Sequence, residues 1–190
     1  MAKKTKLELT WIGKDRRPRL EPRVLLEDPE KSYHAQHHVS ESDIFDNILI
    51  YGDNLLALKA LEQEFSGRVK CIYIDPPYNT GAAFEHYDDG IEHSLWLSLM
   101  QRRLEVLHRL LSEDGVLFVN IDDNEGHYIK VALDEVFGRS NFVTSFIWQK
   151  VDSPNDNKVP ITPDHDYVLC FARDKKRATF KQMSDPTVLN

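Results

Sequence analysis

Residues 69–78 read VKCIYIDPPY, and the rest of the fold is organised around this stretch. Its first six residues form a short apolar run of the kind found in buried strands. Asp75, Pro76, Pro77 and Tyr78 then end the run. Two consecutive prolines remove two backbone donors and fix two φ angles, which a central strand does not require. The sequence therefore predicts a strand followed by a rigid turn that carries an acid before the prolines and an aromatic ring after them.

Strands and helices alternate on both sides of this turn. Before it, an apolar run at residues 48–51 ends in Gly52 and Asp53, and Asp53 is suited to cap the helix that follows. Strict alternation of this kind favours an α/β fold with a largely parallel sheet under helices. The remaining predicted elements are a helix with the apolar stripe Leu55, Leu58, Leu61 and Phe65, a helix at about 93–112 with the apolar stripe Trp96, Met100, Leu104, Leu107 and Leu111, a strand at 116–121, a helix at about 124–137, and strands at 142–148 and 167–172.

Three of the predicted strands are followed by an acid, namely Asp53, Asp75 and Asp122. In open α/β sheets, ligands bind beyond the carboxyl ends of the strands, so these acids mark a candidate site. Aspartate is also a common helix cap, and for Asp122 and Asp123 helix capping is the favoured interpretation, with the candidate site as the alternative.

A rigid exit from a strand does not require an acid before the prolines or a tyrosine after them. These residues therefore also have a chemical interpretation. The exocyclic amine of a nucleobase is a poor nucleophile because its lone pair is delocalised into the ring. Asp75 and the carbonyl of Pro76 can accept hydrogen bonds from the two amine protons and so localise that lone pair. Tyr78 offers a flat face for a base removed from the duplex, an interaction worth about 1–3 kcal/mol per base. The predicted chemistry is direct transfer, without a covalent intermediate and without a metal.

Composition describes an ordinary globular protein with a net charge of −7 and a pI of about 5.6, which argues against a basic DNA-coating protein. Residues 1–23 hold eight Lys or Arg and three acids, a net of +5, so the remainder carries −12. This basic start is either a solvated tail or a contact to backbone phosphates, and charge alone does not decide. We predict that residues 1–42 are an extended arm or loosely packed extension, and that residues 43–190 form the catalytic region.

Several other classes of protein are disfavoured. Two cysteines build no disulfide framework, which fits a cytoplasmic protein. No apolar run approaches the roughly 20 residues of a membrane span, so we expect no membrane partner. The histidines at 34, 37 and 38 lack further ligands at a metal-binding spacing, so no metal site is expected. A nucleotide hydrolase would need a phosphate-binding Gly-x-x-x-x-Gly-Lys-Ser/Thr loop, which is absent.

The run DPPYNTG at residues 75–81 resembles the catalytic motif of amino-methylating DNA methyltransferases. Its context resembles the permuted (beta-type) group, which includes the modification subunits of type III restriction systems. The resemblance covers roughly residues 47–173. It rests further on YGDN at 51–54, WL at 96–97, RL at 103–104, DGVLFVNIDDNE at 114–125, DEVFG at 134–138, NF at 141–142 and, more loosely, DYVL at 166–169.

The resemblance implies a partial Rossmann-like methyltransferase fold that acts on double-stranded DNA with S-adenosylmethionine as methyl donor. It assigns the base-activating and stacking roles to the turn from Asp75 through Pro76 and Pro77 to Tyr78, and it places Asp53 and Asn54 near the donor. An aspartate at the first motif position fits adenine better than cytosine.

The resemblance also implies a part that this chain lacks. In the permuted group, a glycine-rich donor-binding turn and further strands follow the catalytic half, but none of the eight glycines here forms Gly-x-Gly. We therefore expect the central cofactor strands to be absent, an apolar sheet edge to remain, and the isolated chain to bind the donor weakly and not to methylate DNA. Expected partners are DNA, a second half or restriction subunit, or a second copy. The alternative is a non-catalytic DNA-binding or interaction remnant.

Overall fold

The computed structural model describes residues 8–17, 19–21, 23–34, 37, 40–41, 46–80, 83–84, 87–88, 92–150 and 164–180. A π-helical turn (Asp134–Gly138) and a 3-10 turn (Arg139–Asn141) join the last α-helix to the strand that follows. The helices and strands are α1 (Asn54–Phe65), β1 (Val69–Ile74), β2 (Ala83–Phe84), β3 (Tyr87–Asp88), α2 (His93–Leu110), β4 (Leu111–Ile121), α3 (Gly126–Leu133), β5 (Phe142–Gln149) and β6 (His165–Ala172).

Four strands form one sheet in the order β1-β4-β6-β5. Strand β1 is parallel to β4, whereas β6 is antiparallel to both of its neighbours. Strands β1, β4 and β5 therefore point in the same direction, and β6 is inserted in the opposite direction between β4 and β5. The predicted α/β fold is confirmed, but the sheet is mixed rather than mostly parallel, since only one of its three described pairings is parallel. The short strands β2 and β3 form a separate antiparallel pair.

Strand β1 approaches the start of β4 closely, and a glycine makes this possible. The pairing of the two strands shifts register between Val69 and Cys71. A Cβ atom placed on Gly115 would lie 2.7 Å from the carbonyl oxygen of Val69. Any other residue at this position would push β1 and β4 apart at their N-terminal ends.

The helices pack on one face of the sheet. The predicted stripe of α2, which contains Trp96, Met100, Leu104 and Leu107, is buried and forms the centre of the core. Leu117, Val119, Ile121, Leu169 and Phe171 from the sheet, and Ile129, Leu133 and Phe137 beyond it, complete this cluster. Leu55 of α1 packs against the other side of α2. None of the helices described here is long and apolar enough to span a membrane.

The opposite face of the sheet carries exposed aromatic side chains. Tyr73 is 60% exposed, Phe146 51% and Trp148 63%. The ring of Phe118 lies on the same face, with its centroid 6.4 Å from that of Phe146. No helix of the described chain covers these rings. A contiguous exposed apolar surface of this kind is typical of an interaction face.

The predicted strand at residues 48–51 is wrong. These residues form neither helix nor strand, and Ile48, Leu49 and Tyr51 are 68%, 98% and 103% exposed. A short apolar run becomes a buried strand only where a neighbouring strand pairs with it, and none of the described strands does so. Asp53 nevertheless caps α1, since its side chain accepts hydrogen bonds from the amides of Leu55 and Leu56.

The boundaries of the later elements differ modestly from the predictions. Strand β4 begins at Leu111, five residues before the predicted start. The helix predicted at 124–137 is α3 followed by the π-helical turn. Asp122 is not its cap: its carboxylate accepts the amide of Asn124 in the preceding turn, and α3 has no side-chain cap.

Part of the N-terminal arm is packed against the core. The indole of Trp11 donates to the Ser98 hydroxyl at 2.8 Å. The carboxylate of Glu135 accepts from the Leu9 amide at 2.6 Å and from Lys14 at 2.8 Å. The arm has neither helix nor strand in its described residues, yet residues 8–17 are packed rather than loose.

His108 near the end of α2 makes the stability of the fold depend on pH. Burial, reinforced by the positive charges of Arg173 and Arg109, lowers the pKa of His108 below its ordinary value of 6.5. Below about pH 6.5 the unfolded chain binds the proton more readily than the folded one, so folding stability falls as the pH falls. We expect a His108→Gln variant to lose less stability than the wild type between about pH 7 and pH 5 in urea unfolding. Equal losses for the two proteins would contradict this.

Candidate functional site

The Asp-Pro-Pro-Tyr turn leaves the sheet at the carboxyl end of β1. Ile74, the last residue of β1, pairs with Val119 of β4. The next residue of each strand therefore brings Asp75 beside Asn120. Asp75 is exposed, whereas Tyr78 is half-buried and packs against the core. This placement at the carboxyl edge agrees with the sequence prediction.

A chain of polar contacts joins the two ends of the turn. The amide nitrogen of Asn120 donates to Asp75 Oδ1 at 3.3 Å and also to the hydroxyl oxygen of Tyr78. The Tyr78 hydroxyl in turn donates to Asp166 Oδ2 at 3.4 Å. Lys150 Nζ donates to the other oxygen of Asp166 at 2.7 Å. The structure therefore brings Asp75 and Tyr78 together through Asn120.

The environment keeps the Tyr78 phenol protonated. Burial raises its pKa well above the ordinary value, and the negative charges of Asp166 and Asp75 raise it further. Asp166 itself is only 7% exposed, and its charge is paired with Lys150. Burial also raises the pKa of Asp122 at the end of β4. The phenol is therefore a stable hydrogen-bond donor to Asp166 across the physiological pH range.

The two prolines present their carbonyl groups differently. The Pro77 carbonyl accepts a hydrogen bond of 2.9 Å from the indole of Trp96, which is fully buried in α2. Within the described residues, the Pro76 carbonyl receives no hydrogen bond. The core thus holds the second proline in place while the first leaves its carbonyl oxygen available next to Asp75.

The chain leaves the turn through a second polar cluster. Asn79 adopts the left-handed conformation with φ 59°. Its side chain donates to Glu125 Oε1 at 2.7 Å, and the ring nitrogen Nδ1 of His93 lies 2.9 Å from the same oxygen. Glu125 is 2% exposed, and its Oε2 atom is buried without a hydrogen-bond partner in the described chain. Glu125 therefore connects the end of the turn to the first residue of α2.

Asp53 and Asn54 lie apart from the turn. Both are exposed at the start of α1. Arg103 of α2 donates to Asn54 Oδ1 at 2.7 Å, and its guanidinium lies 3.9 Å from Asp53 Oδ2. Among the described residues, neither side chain makes a hydrogen bond or ion pair with residues 75–78.

Sequence reasoning assigned no role to Asn120, Asp166, Lys150 or Glu125. Asn120 carries the clearest signal, because it is a polar residue inside the apolar run of a central strand, directly before its carboxyl end. Buried polar side chains in such a position need partners, and the nearest candidate is the turn after the adjacent strand. Asp166 and Lys150 carry no such local signal, since their contact with the turn depends on where β6 is inserted.

A polar cavity of about 370 Å³ lies elsewhere, between the N-terminal arm, α2 and the π-helical turn. Glu8, Lys14, Gln101, Glu105 and Glu135 are among the residues that line it. None of the residues of the turn contributes to this lining. The candidate site is therefore the exposed edge of the sheet rather than this cavity.

Comparison with known proteins connects this edge to a family. The sequence profile of a family described as DNA methylase matches residues 69–187. The Mod subunit of a probable type III restriction-modification enzyme, HindVI, from Haemophilus influenzae is 50% identical over 98 residues, which cover 52% of this chain and 13% of that protein. The EcoPI Mod subunit from Escherichia phage P1 is 34% identical over 205 residues, which cover 90% and 31%. The crystal structure of an M1.HpyAVI–SAM complex matches with a TM-score of 0.49 and 18% identity over 72% of this chain and 59% of that one.

The match includes the Asp-Pro-Pro-Tyr turn at the carboxyl edge of the sheet and covers more than half of the chain. The chain belongs to the DNA methylase family. It spans less than a third of the length of the two Mod subunits that it resembles.

Proposed function

We propose that this chain supplies the amine-activating half of a DNA adenine methyltransferase that uses S-adenosylmethionine. The observation that carries the proposal is the geometry of the turn. An exposed carboxylate at Asp75 and the open carbonyl of Pro76 stand side by side, and the ring of Tyr78 is held next to them by Asn120. These are two acceptors and one flat ring, which are the groups that an exocyclic amine and its base require.

The chain's own residues activate and position the amine. Asp75 and the Pro76 carbonyl each accept a hydrogen bond from one N–H of the amine, which directs the nitrogen lone pair towards the methyl group. Tyr78 stacks on the base, and this contact offsets part of the few kcal/mol needed to unstack it from the duplex. Because Trp96 holds the Pro77 carbonyl, the acceptors are fixed before the substrate arrives, and little reorganisation is needed in the transition state.

The start of α1 fits the methyl donor. S-adenosylmethionine supplies a methyl group on a positively charged sulfur. The side chain of Asp53 is 55% exposed, and only its Oδ1 atom is used to cap the helix. Its Oδ2 atom, together with the amide of Asn54, would hold polar groups of the donor. Arg103 contacts both side chains, since it donates to Asn54 Oδ1 and its guanidinium lies 3.9 Å from Asp53 Oδ2.

The open surfaces of the sheet support a second half as partner. In the described chain, β1 has a neighbour on one side only, and Tyr73, Phe146 and Trp148 are exposed on the face without helices. Apolar strands with an unpaired edge are liabilities that folded proteins cover. We propose that residues 43–190 are the catalytic half, that residues 1–42 are an extension, and that a donor-binding half covers this edge and face. A restriction subunit or a second copy would be a further partner, with the DNA, in the cytoplasm.

The exposed aromatic face also favours one alternative, a non-catalytic interaction module that binds DNA or a protein without modifying it. The two functions differ in their dependence on the methyl donor. A methyltransferase half gains donor binding and turnover when its missing half is supplied. An interaction module binds DNA equally well with and without the donor.

A chimeric protein tests the proposal. This chain would replace the matching segment of the EcoPI Mod relative, to which it is similar over 90% of its length. We expect the chimera to bind S-adenosylmethionine in titration calorimetry and to transfer tritiated methyl groups to mixed-sequence DNA. The chain alone should do neither, because its sheet is open. A folded chimera that binds donor and DNA without transferring methyl groups would refute the enzyme proposal.

A further inference from the structure

Asn120 contacts both functional ends of the turn, although it belongs to a different strand. Its Nδ2 atom donates to Asp75 Oδ1 and to the Tyr78 hydroxyl. A primary amide carries two N–H bonds, so one nitrogen can serve both acceptors. Within the described residues, the Asp75 side chain makes no other hydrogen bond. Asn120 therefore occupies Oδ1 and leaves Oδ2 as the carboxylate oxygen available to a substrate donor.

Asp166 and Lys150 fix the other side of the phenol. The Tyr78 hydroxyl accepts from Asn120 and donates to Asp166, so both of its hydrogen-bonding capacities are used. Asp166 lies on β6, and Lys150 directly follows β5. The pair between them is 2.7 Å long, and its carboxylate is buried whereas Lys150 remains exposed to solvent, so Lys150 is the cation that compensates the buried charge of Asp166. Residues of β4 and β6 thus contact the Tyr78 hydroxyl directly, and Lys150 after β5 supports the Asp166 contact, so three segments of the chain fix the orientation of this ring.

We propose that Asn120 is a positioning residue that holds Asp75 and Tyr78 in the relative orientation needed for methyl transfer, with Asp166 and Lys150 anchoring the tyrosine. The inference rests on the proposed function. Its physical basis is that a carboxylate side chain has two equivalent oxygens and a broadly distributed χ2 angle even where the backbone of the turn is rigid. The amide of Asn120 selects one rotamer, so that the free oxygen and the ring face the same amine. Misplacement of a reacting group by about 1 Å costs on the order of 100-fold in rate.

The first test uses the chain alone and does not depend on enzymatic activity. The side-chain amide signals of Asn120 would be assigned in a ¹⁵N-labelled sample by their loss in an Asn120→Ser variant. We expect Asp75→Asn and Tyr78→Phe each to change the chemical shifts of these signals and to leave the chemical shifts of the Asn124 side-chain amide unchanged. Asn124 is a matched control, since its amide contacts Asp122 instead. Unchanged Asn120 signals in both variants would overturn the proposal.

The second test uses the chimera described above. Asn120→Ala should lower kcat about 10- to 100-fold, while KM for DNA and for the donor stays within about twofold. Asn120→Ser keeps a donor and should recover part of the loss. Asn124→Ala should behave as the wild type. A wild-type kcat for Asn120→Ala, or a loss confined to KM, would overturn the proposal if Asp75→Ala is inactive in the same assay. A wild-type chimera without turnover would count against the proposed function. The side-chain amide signals would then still test whether Asn120 contacts Asp75 and Tyr78.

Discussion

Replacing Asp75 with alanine is expected to lower the kcat of the complemented enzyme by about 100- to 1000-fold, the range found when one preorganised hydrogen-bonding group is lost from an active site. In the proposed function, the carboxylate is one of the two acceptors that bind the amine. Its loss leaves the lone pair delocalised and also leaves the Asn120 amide without one of its partners. Methyl transfer to mixed-sequence DNA under saturating donor measures the effect.

The expected loss is specific to this carboxylate. Asp75 is exposed, so the alanine variant should unfold at nearly the same urea concentration as the wild type. Asp114, an acid near the opposite end of β4 that pairs with Lys70 at the surface, provides the control. Asp114→Ala should retain activity. Wild-type turnover by Asp75→Ala would remove the basis of the proposed chemistry.

Replacing Trp96 with alanine is expected to destabilise the fold by about 3–5 kcal/mol, as for other large-to-small changes in tightly packed cores. Trp96 is fully buried at the centre of the main cluster. The change also removes the donor that holds the Pro77 carbonyl. Urea unfolding followed by circular dichroism measures the free energy. Leu95, its neighbour on α2, is 60% exposed, and Leu95→Ala should change stability by about 0.5 kcal/mol or less.

A phenylalanine at position 96 separates packing from hydrogen bonding. Trp96→Phe keeps most of the apolar contact but loses the indole N–H, so its cost should include about 0.5–1.5 kcal/mol for the lost hydrogen bond, or more if the Pro77 carbonyl stays buried without a partner. In the chimera, this variant should also lower kcat, because the indole no longer holds the Pro77 carbonyl and the turn is less well fixed. A Trp96→Ala variant as stable as Leu95→Ala would show that the core is not built around this residue.

Local patterns predicted the elements around the turn well. Strand β1 has the predicted limits, and the capping of α1 by Asp53 and the buried stripe of α2 were also predicted. These features depend on residues a few positions apart, whose periodicity and capping chemistry are visible in the sequence. The prediction of a strand at residues 48–51 was wrong because a local pattern cannot show whether a neighbouring strand is present.

The contacts that complete the site could not be predicted in this way. Asn120 and Asp166 reach Tyr78 from positions 42 and 88 residues away in the sequence. Their placement follows from the insertion of β6 between β4 and β5, which no local pattern encodes. The residues of the turn could therefore be named from the sequence, whereas the groups that orient them required the sheet order.

The insertion of β6 has a consequence for how the molecule folds. Strand β5 is made before β6, yet among the described strands β6 is its only neighbour in the sheet. Strands β1 and β4 can pair with each other as soon as residue 121 has been synthesised, and α2 can then pack on them. Strand β5 has to wait until residue 172 is available. Partners in β5 and β6 are 16 to 29 residues apart in the sequence, so these two strands can pair locally once both exist. Partners in β4 and β6 are 46 to 56 residues apart, against 42 to 45 for β1 and β4, so the docking of β6 onto β4 should form last during refolding and should limit its rate.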